Sequence, residues 1–260
     1  MPDTAPPLIE LCRASVMRGE RLVLQDLTLR IDMGEHVAIL GPNGCGKSTL
    51  LKTLTRECYP LAQEGAAVRI LGQESWNVFD LRSLLGIVSN DFTSSSPISG
   101  REVVLSGFFG SIGIWPHQSV TPEMEEGTDR VLHQLEAAHL AERTYGEMSS
   151  GEARRILIAR ALVHSPRTLV LDEPTTSLDL LAQHELRDTM RRLAQAGTGI
   201  LLITHHLSDI IPEIERVILL KEGRVLADGP KRDLLARAPV EELFGIEVDI
   251  SERNGYIHAW

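Results

Sequence analysis

The chain has 260 residues, 43% of them hydrophobic and 24% charged, with a formal net charge of −10. A chain of this length and composition can bury one substantial core with room for a small subdomain. The acidic balance argues against a general nucleic-acid binder, because phosphate backbones are met by basic surfaces, and no apolar run approaches the roughly 18 residues that a membrane span requires.

The N-terminal segment and the cysteines predict the compartment. Residues 1–7 lack the basic and apolar regions of a signal peptide, and we expect a flexible tail there. Cys12, Cys45 and Cys58 show no metal-ligand spacing, and their odd number argues against a disulfide framework. We therefore expect a cytoplasmic protein, for which a position on the cytoplasmic face of a membrane remains open.

Short β-type patterns open the chain. Leu22–Leu24 and the alternating apolar residues from Leu27 to Ile31 are typical of half-buried strands. Ala67–Gly72 indicates a further strand of this layer, and Leu84–Val88 indicates a short core strand.

A glycine-rich segment between an apolar strand pattern and a helical pattern carries the strongest motif. Val37–Leu40 predicts the strand and Leu50–Leu54 the helix, which is the context that the phosphate-binding pattern G-x-x-x-x-G-K-[ST] needs. We predict that its N–H groups and Lys47 bind the phosphates of a nucleoside triphosphate and that Ser48 binds Mg²⁺. The residues of this phosphate loop are Gly41, Pro42, Asn43, Gly44, Cys45, Gly46, Lys47, Ser48 and Thr49.

The segment from about 92 to 148 predicts a mainly helical subdomain inserted in the core. Thr121-Pro122-Glu123 is a helix start, with a capping hydroxyl, proline in the first turn and an acid near the positive end. Apolar residues from Val131 to Leu140 then recur at roughly helical spacing.

Strands and helices alternate in the rest of the chain. The patterns predict helices over Glu152–Leu162 and Ala182–Ala194, and strands over Thr168–Leu171 and Gly199–Thr204. Further short strands at 217–220 and 224–227 begin a C-terminal β/α extension, about 215–260. This alternation implies an α/β fold with a mainly parallel sheet.

Two carboxylates follow the buried strand pattern Leu169–Leu171. In α/β folds ligands bind at the carboxyl ends of strands. We predict that Asp172 holds Mg²⁺ and that Glu173 orients and deprotonates the attacking water.

Taken in order, five motifs resemble those of the ABC ATPase cassette over about Leu8 to Gly229. The resemblance implies a P-loop NTPase core, an N-terminal antiparallel β subdomain and an inserted helical subdomain, all in one domain over 8–260. It also implies hydrolysis of ATP with Mg²⁺. The motifs are the phosphate loop, Met148–Glu152, Asp172–Thr175, Ser177–Asp179 and Thr204-His205.

The resemblance also implies a homodimer that sandwiches ATP head-to-tail. Ser149, Ser150, Gly151 and Glu152 form the signature loop, which would meet the γ-phosphate of the other subunit's ATP. Asp179 would couple the two sites. His205 would contact the γ-phosphate and take part in catalysis with Glu173 and Lys47.

The sequence departs from the family pattern at three places. Asn90, or Asp91 beside it, stands where the family has a glutamine that touches Mg²⁺. Ser150 and Glu152 replace the usual glycine and glutamine of the signature. The aromatic residue that stacks on adenine is missing, and either Arg18 stacks instead or it is a solvated loop residue.

Two interpretations remain for the process that ATP hydrolysis drives. The first is transport through separate transmembrane subunits; the second is a soluble ATPase that remodels or regulates a protein partner. The segment Val103–Phe109, the Ser-Ser-Gly-Glu signature and Glu242–Gly245 resemble the molybdenum-transport/photorepair-type subgroup. Phe108-Phe109 and residues 112–115 belong either to a docking surface or to the subdomain's own core.

Overall fold

A computed structural model describes residues 6–76, 81, 84–89, 97–111 and 113–260. Contacts between residues divide them into two compact units, described separately below. The first unit holds the described residues up to 76 together with Gly199–Trp260, and the second holds those from 81 to Thr198.

The regular elements of the described residues are numbered in chain order. The strands are β1 (Ile9–Arg18), β2 (Arg21–Ile31), β3 (Val37–Leu40), β4 (Ala67–Ile70), β5 (Leu85–Val88), β6 (Thr168–Asp172), β7 (Gly199–Thr204), β8 (Arg216–Lys221), β9 (Arg224–Pro230), β10 (Ile250–Arg253) and β11 (Tyr256–Ala259). The helices are α1 (Lys47–Leu54), α2 (Gly100–Leu105), α3 (Pro122–Gln134), α4 (Ser150–Leu162), α5 (Leu180–Gln195), α6 (Lys231–Leu234) and α7 (Arg237–Phe244).

The core of the first unit is a mainly parallel sheet in the order β7-β3-β8-β9. Every residue of β3 and β7 is buried, which explains why both read as continuous apolar runs rather than alternating ones. The parallel register places Leu40, the last residue of β3, opposite Thr204 and Leu219. The ends of these strands therefore meet at one edge, where the phosphate loop begins.

An antiparallel sheet in the order β2-β1-β4 forms the N-terminal part of this unit. Ile9 of β1 pairs with Ile31 on one side and Ile70 on the other. All three side chains are buried and bind the sheet to the core. The predicted antiparallel β subdomain is confirmed.

The second unit contains the parallel pair β5 and β6, in which Leu85 lies opposite Thr168, and the helices α2 to α5. Thr121 caps α3 and Pro122 occupies its first position, so the predicted helix start is confirmed. The apolar spacing continues to Leu140, but the helix does not. It ends at Gln134 because Glu136 adopts a left-handed φ of 55°, and Ala138–Leu140 is a 3₁₀ turn.

The α/β fold class and the mainly helical character of the inserted region are confirmed, and the predicted strands and helices appear with small shifts at their ends. The N-terminal tail and the start of the inserted subdomain fall partly outside the described residues. No helix in the described part of the chain is long and apolar enough to cross a membrane.

Gly223, in the turn between β8 and β9, ties three segments of the first unit together. Its N–H donates to the carbonyl oxygen of Cys45 over 2.8 Å, and its own carbonyl accepts from the N–H of Gln25 over 2.9 Å. The backbone φ is +76°, and a Cβ there would collide with the carbonyl oxygen of Val23. This turn therefore requires glycine for both conformation and space.

We expect Gly223→Ala to destabilise the protein by about 2 kcal/mol more than Gly65→Ala does. Gly65 is the matched control because its φ is also +76°, whereas a Cβ added there would meet none of the described residues within 4 Å. Urea unfolding of both variants measures the difference. Equal losses of stability would show that the contact with Val23 is unimportant.

Candidate nucleotide-binding site

The phosphate loop leads from buried β3 into α1. Gly46 is the N-cap of α1 with a φ of 114°, and no side chain makes a capping hydrogen bond there. Side-chain caps normally use one of the first N–H groups of a helix. Here no side chain takes that place, at the end of the helix that carries a partial positive charge.

The Lys47 ammonium lies inside the loop. It donates to the carbonyl oxygens of Gly41 over 2.7 Å and of Pro42 over 3.1 Å, and only 5% of the residue is exposed. The loop is also closed by a hydrogen bond from the Cys45 N–H to the carbonyl oxygen of Pro42. Cys45 itself is buried, consistent with the need for a small neutral side chain at this position.

Two predicted ligand residues of the first unit are accessible. Ser48 is exposed in the first turn of α1. Arg18 is exposed at the end of β1, where it pairs with Arg21 across a hairpin whose turn is Gly19-Glu20. The exposed position of Arg18 lets it approach a base, and its stacking role stays a prediction.

His205 follows directly after β7, and the chain beyond it is held by a buried carboxylate. Asp209 is 1% exposed and accepts a hydrogen bond from the Thr204 hydroxyl over 2.8 Å. The same hydroxyl accepts from the N–H of His206 over 3.0 Å. The rings of His205 and His206 have centroids 3.8 Å apart. This network fixes the backbone on both sides of His205.

In the second unit, Asp172 is the last residue of β6 and is half-buried. Glu173 turns the chain sharply with a left-handed φ of 48°, an uncommon conformation for a non-glycine residue that often marks functional sites. The buried guanidinium of Arg154 interacts electrostatically with Asp172, although burial is the larger effect and lowers the pKa of Arg154.

The signature segment forms a capping box at the start of α4. Ser149 is the N-cap: its hydroxyl accepts from the Glu152 N–H over 3.3 Å, and its N–H donates to Glu152 Oε2 over 2.8 Å. A carboxylate serves this motif as well as the family's usual glutamine does. The Ser149 N–H is the main reason that the pKa of Glu152 lies below its ordinary value, with the Ser149 hydroxyl and Arg143 also lowering it.

The lowered pKa keeps Glu152 ionised at neutral pH. Because its folded pKa is below the unfolded one, its stabilising contribution is complete above the ordinary glutamate pKa and is lost as the pH falls through the folded value.

Ser150 occupies the first helical position of α4, where its backbone conformation does not require glycine. Its hydroxyl donates to the carbonyl oxygen of Ser177 over 3.1 Å. Ser177 precedes Asp179, whose carboxylate caps α5 by accepting from the N–H of Ala182 over 2.8 Å. The structure therefore brings the signature segment and the predicted coupling segment into direct contact.

Gly151 lies where α4 approaches α5 most closely. A Cβ at this position would be 2.8 Å from the Cβ of Ala182. The sequence motif indicated a glycine for phosphate contact, but it gave no sign of this second requirement, which depends on a residue 31 positions away.

Several supporting residues were missed by the sequence motifs. They include Gly223, Asp209, Ala182 and Arg143, which contacts Glu152. Gly223 lies between the predicted strands 217–220 and 224–227, but its partner in the phosphate loop was not visible in the sequence. Asn90 and Asp91 lie outside the described residues.

Comparison with known proteins identifies the class. The family described as ABC transporter matches residues 24–176. A hemin import ATP-binding protein, HmuV of Hahella chejuensis, is 35% identical and aligns over 92% of this chain and 93% of its own length. The uncharacterized ABC transporter ATP-binding protein YlmA of Bacillus subtilis is 32% identical over 94% of this chain and 93% of its own.

Solved structures share the fold. A transporter assigned to the metal-chelate type superposes with a TM-score of 0.80 at 24% identity, over 97% of this chain and 96% of that one. The dimeric cassette MJ0796 superposes with a TM-score of 0.70 at 25% identity, over 85% of this chain and 98% of that one.

The chain belongs to the ATP-binding cassette family of ABC transporters. It is the ATP-binding, ATP-hydrolysing subunit of a transport system whose transmembrane subunits are separate chains. The family prediction is confirmed, and transport is the interpretation that the comparisons favour over a purely regulatory ATPase. The relatives named here do not place the chain in the molybdenum-transport/photorepair subgroup.

We expect Gly151→Ala to lower ATPase activity about tenfold or more, because the added methyl group displaces the signature segment from Ala182. A second change, Ala182→Gly, removes the opposing methyl group and should recover most of the loss. Alanine keeps the N–H at position 151, so recovery would separate packing from phosphate contact. Gly146→Ala is the control, since a Cβ at Gly146 would meet none of the described residues within 4 Å.

Proposed function

We propose that this chain energises the import of hemin or a chemically similar metal chelate. The observation that carries the proposal is the 35% identity to a hemin import ATP-binding protein over nearly the full length of both chains. Proteins of the same name from Plesiomonas shigelloides and Aliivibrio fischeri are 34% and 32% identical. The likeness to a transporter of metal-chelate type supports the fold alone.

The predicted Mg²⁺ ligands have suitable chemistry. The exposed Ser48 hydroxyl and the half-buried Asp172 carboxylate are hard oxygen ligands of the kind that Mg²⁺ prefers. Ser48 and Asp172 would hold the ion, with Asn90 as the third predicted ligand. The ion would supply charge neutralisation on the β and γ phosphates.

The remaining residues position the reactants. The N–H groups at the start of α1 and the Lys47 ammonium would hold the phosphate oxygens. These oxygens would compete with the Gly41 and Pro42 carbonyls for that ammonium. Glu173 would accept the proton of the attacking water, and His205 would contact the γ-phosphate. The left-handed backbone at Glu173 supports this role, because such uncommon conformations cluster at functional sites.

Two copies would share each ATP head-to-tail. Ser149 and the Gly151 N–H, at the positive end of α4, would meet the γ-phosphate bound by the other copy's phosphate loop. The dimeric structure of the MJ0796 cassette supports this arrangement. Asp179 would couple the two sites through the segment that Ser150 contacts.

The dimer would bind its transmembrane subunits at the cytoplasmic face of the membrane. Phe108 is half-buried and packs edge-on against the exposed His164, with ring centroids 5.2 Å apart. Trp115 is 55% exposed and is the better candidate for a docking contact.

Dimer formation can be tested with a variant that binds ATP but hydrolyses it slowly. Glu173→Gln with ATP and Mg²⁺ should elute as a dimer in size-exclusion chromatography, because the amide cannot accept the proton of the attacking water. Adding Lys47→Ala should return the protein to monomers and reduce ATP binding by about tenfold or more, through loss of a charge-assisted contact. ATP-dependent dimers of the Lys47→Ala protein would show that the phosphate loop is wrongly assigned.

Deletion of the gene in its host should abolish growth with hemin as the sole iron source. Wild-type protein should restore growth, whereas Glu173→Gln should not. Growth on ferrous salts is the control and should be unaffected. Normal growth on hemin, with a defect that appears only when molybdate is limiting, would instead favour the molybdenum-transport subgroup.

A further inference from the structure

The carboxylate of Glu152 creates an electrostatic problem in the signature segment. The family's usual residue at this position is a neutral glutamine, and the segment is proposed to meet the γ-phosphate of ATP. An ionised carboxylate there repels the phosphate in the water-poor interface between two subunits. A protein that keeps this carboxylate needs a positive charge close to it.

Arg143 supplies that charge. Its guanidinium contacts Glu152 Oε1 in a short, direct ion pair and lies 3.5 Å from the carbonyl oxygen of Glu147. Glu152 Oε2 is used by the Ser149 N–H at 2.8 Å and by the Ser149 hydroxyl at 3.0 Å. The two carboxylate oxygens are thus divided between the helix cap and Arg143.

The backbone of Arg143 is also anchored. Its N–H donates to the Leu140 carbonyl over 3.2 Å, and its own carbonyl accepts from the N–H of Gly100, the first residue of α2, over 2.9 Å. The Arg143 side chain is 45% exposed and that of Glu152 is 28% exposed, so the pair lies at the surface of the unit rather than in its core. An ion pair at such a surface contributes little to the free energy of folding. The function of the Arg143 charge is therefore to be sought in the signature segment rather than in fold stability.

We propose that Arg143 is a positioning residue for ATP-dependent dimerisation: it neutralises the charge of Glu152 and holds this carboxylate in its hydrogen bonds to the helix cap. The inference rests on the proposed action of the signature segment across the dimer. It explains how this chain tolerates an acidic residue in place of glutamine. It also makes Arg143 dispensable wherever position 152 is neutral.

The test is a double-mutant cycle between Arg143→Gln and Glu152→Gln. The first measurement is the ATP concentration at half-maximal dimerisation, in the Glu173→Gln background. The second is the KM of ATPase activity, in otherwise wild-type protein. Arg143→Gln alone should raise both values about tenfold, the effect of one charge-assisted interaction. In a Glu152→Gln background the same change should alter them by less than about twofold.

Salt concentration gives a second readout, because dissolved ions screen the repulsion between Glu152 and the γ-phosphate. Between about 0.1 M and about 1 M salt the Debye length falls from about 10 Å to about 3 Å. The defect of Arg143→Gln relative to wild type should therefore shrink over this range. Arg101→Gln is the matched control, because Arg101 pairs with Asp129 in the same unit but does not contact Glu152.

The outcomes separate this proposal from the proposed function. If the Glu173→Gln protein dimerises with ATP but Arg143→Gln behaves as wild type, or remains equally impaired beside Glu152→Gln, the role of Arg143 is wrong while the dimer stands. If no variant dimerises with ATP, the dimer and the role of Arg143 are both wrong.

Discussion

The N-terminus of α1, which no side chain caps, is the constraint on which the rest of the site depends. An α-helix leaves its first N–H groups without partners inside the helix, and most helices satisfy one of them with a side chain. Here the N-cap is Gly46, which has no side chain to offer. Buried β3 and the contact between Cys45 and the Gly223 turn hold the loop in place ahead of this N-cap.

The helices of the second unit solve the same problem differently. Ser149 and Asp179 cap α4 and α5 with their own side chains. Each residue therefore has a structural role that competes with the role proposed across the dimer. A phosphate that approaches α4 meets the Ser149 hydroxyl, which is already bonded to Glu152. Phosphate binding must therefore either rearrange this cap or use lone pairs and N–H groups that the cap does not occupy.

The sequence predicted most of the local structure, including the elements that carry the candidate site residues of the described chain. The phosphate loop, the strand that ends at Asp172 and the start of α3 at Thr121 were visible because each depends on neighbouring residues. The apolar spacing from Val131 to Leu140 runs past the end of α3 at Gln134, because the left-handed conformation of Glu136 overrides it. Local sequence patterns reflect interactions between neighbouring residues, and the backbone conformation of one residue can end a helix that the pattern would continue.

The parts that sequence motifs missed share one physical property: their partners are distant along the chain. Ala182 restricts position 151 from another helix, and the Ser177 carbonyl accepts the hydroxyl that replaces a glycine at Ser150. Both departures in the signature segment have partners within the same unit, Ser177 for Ser150 and Arg143 for Glu152. A departure from a family motif is thus better judged by the contacts of the new side chain than by its difference from the consensus. By that criterion the two replacements fit the structure, since the Ser150 hydroxyl and the Glu152 carboxylate each have a defined partner.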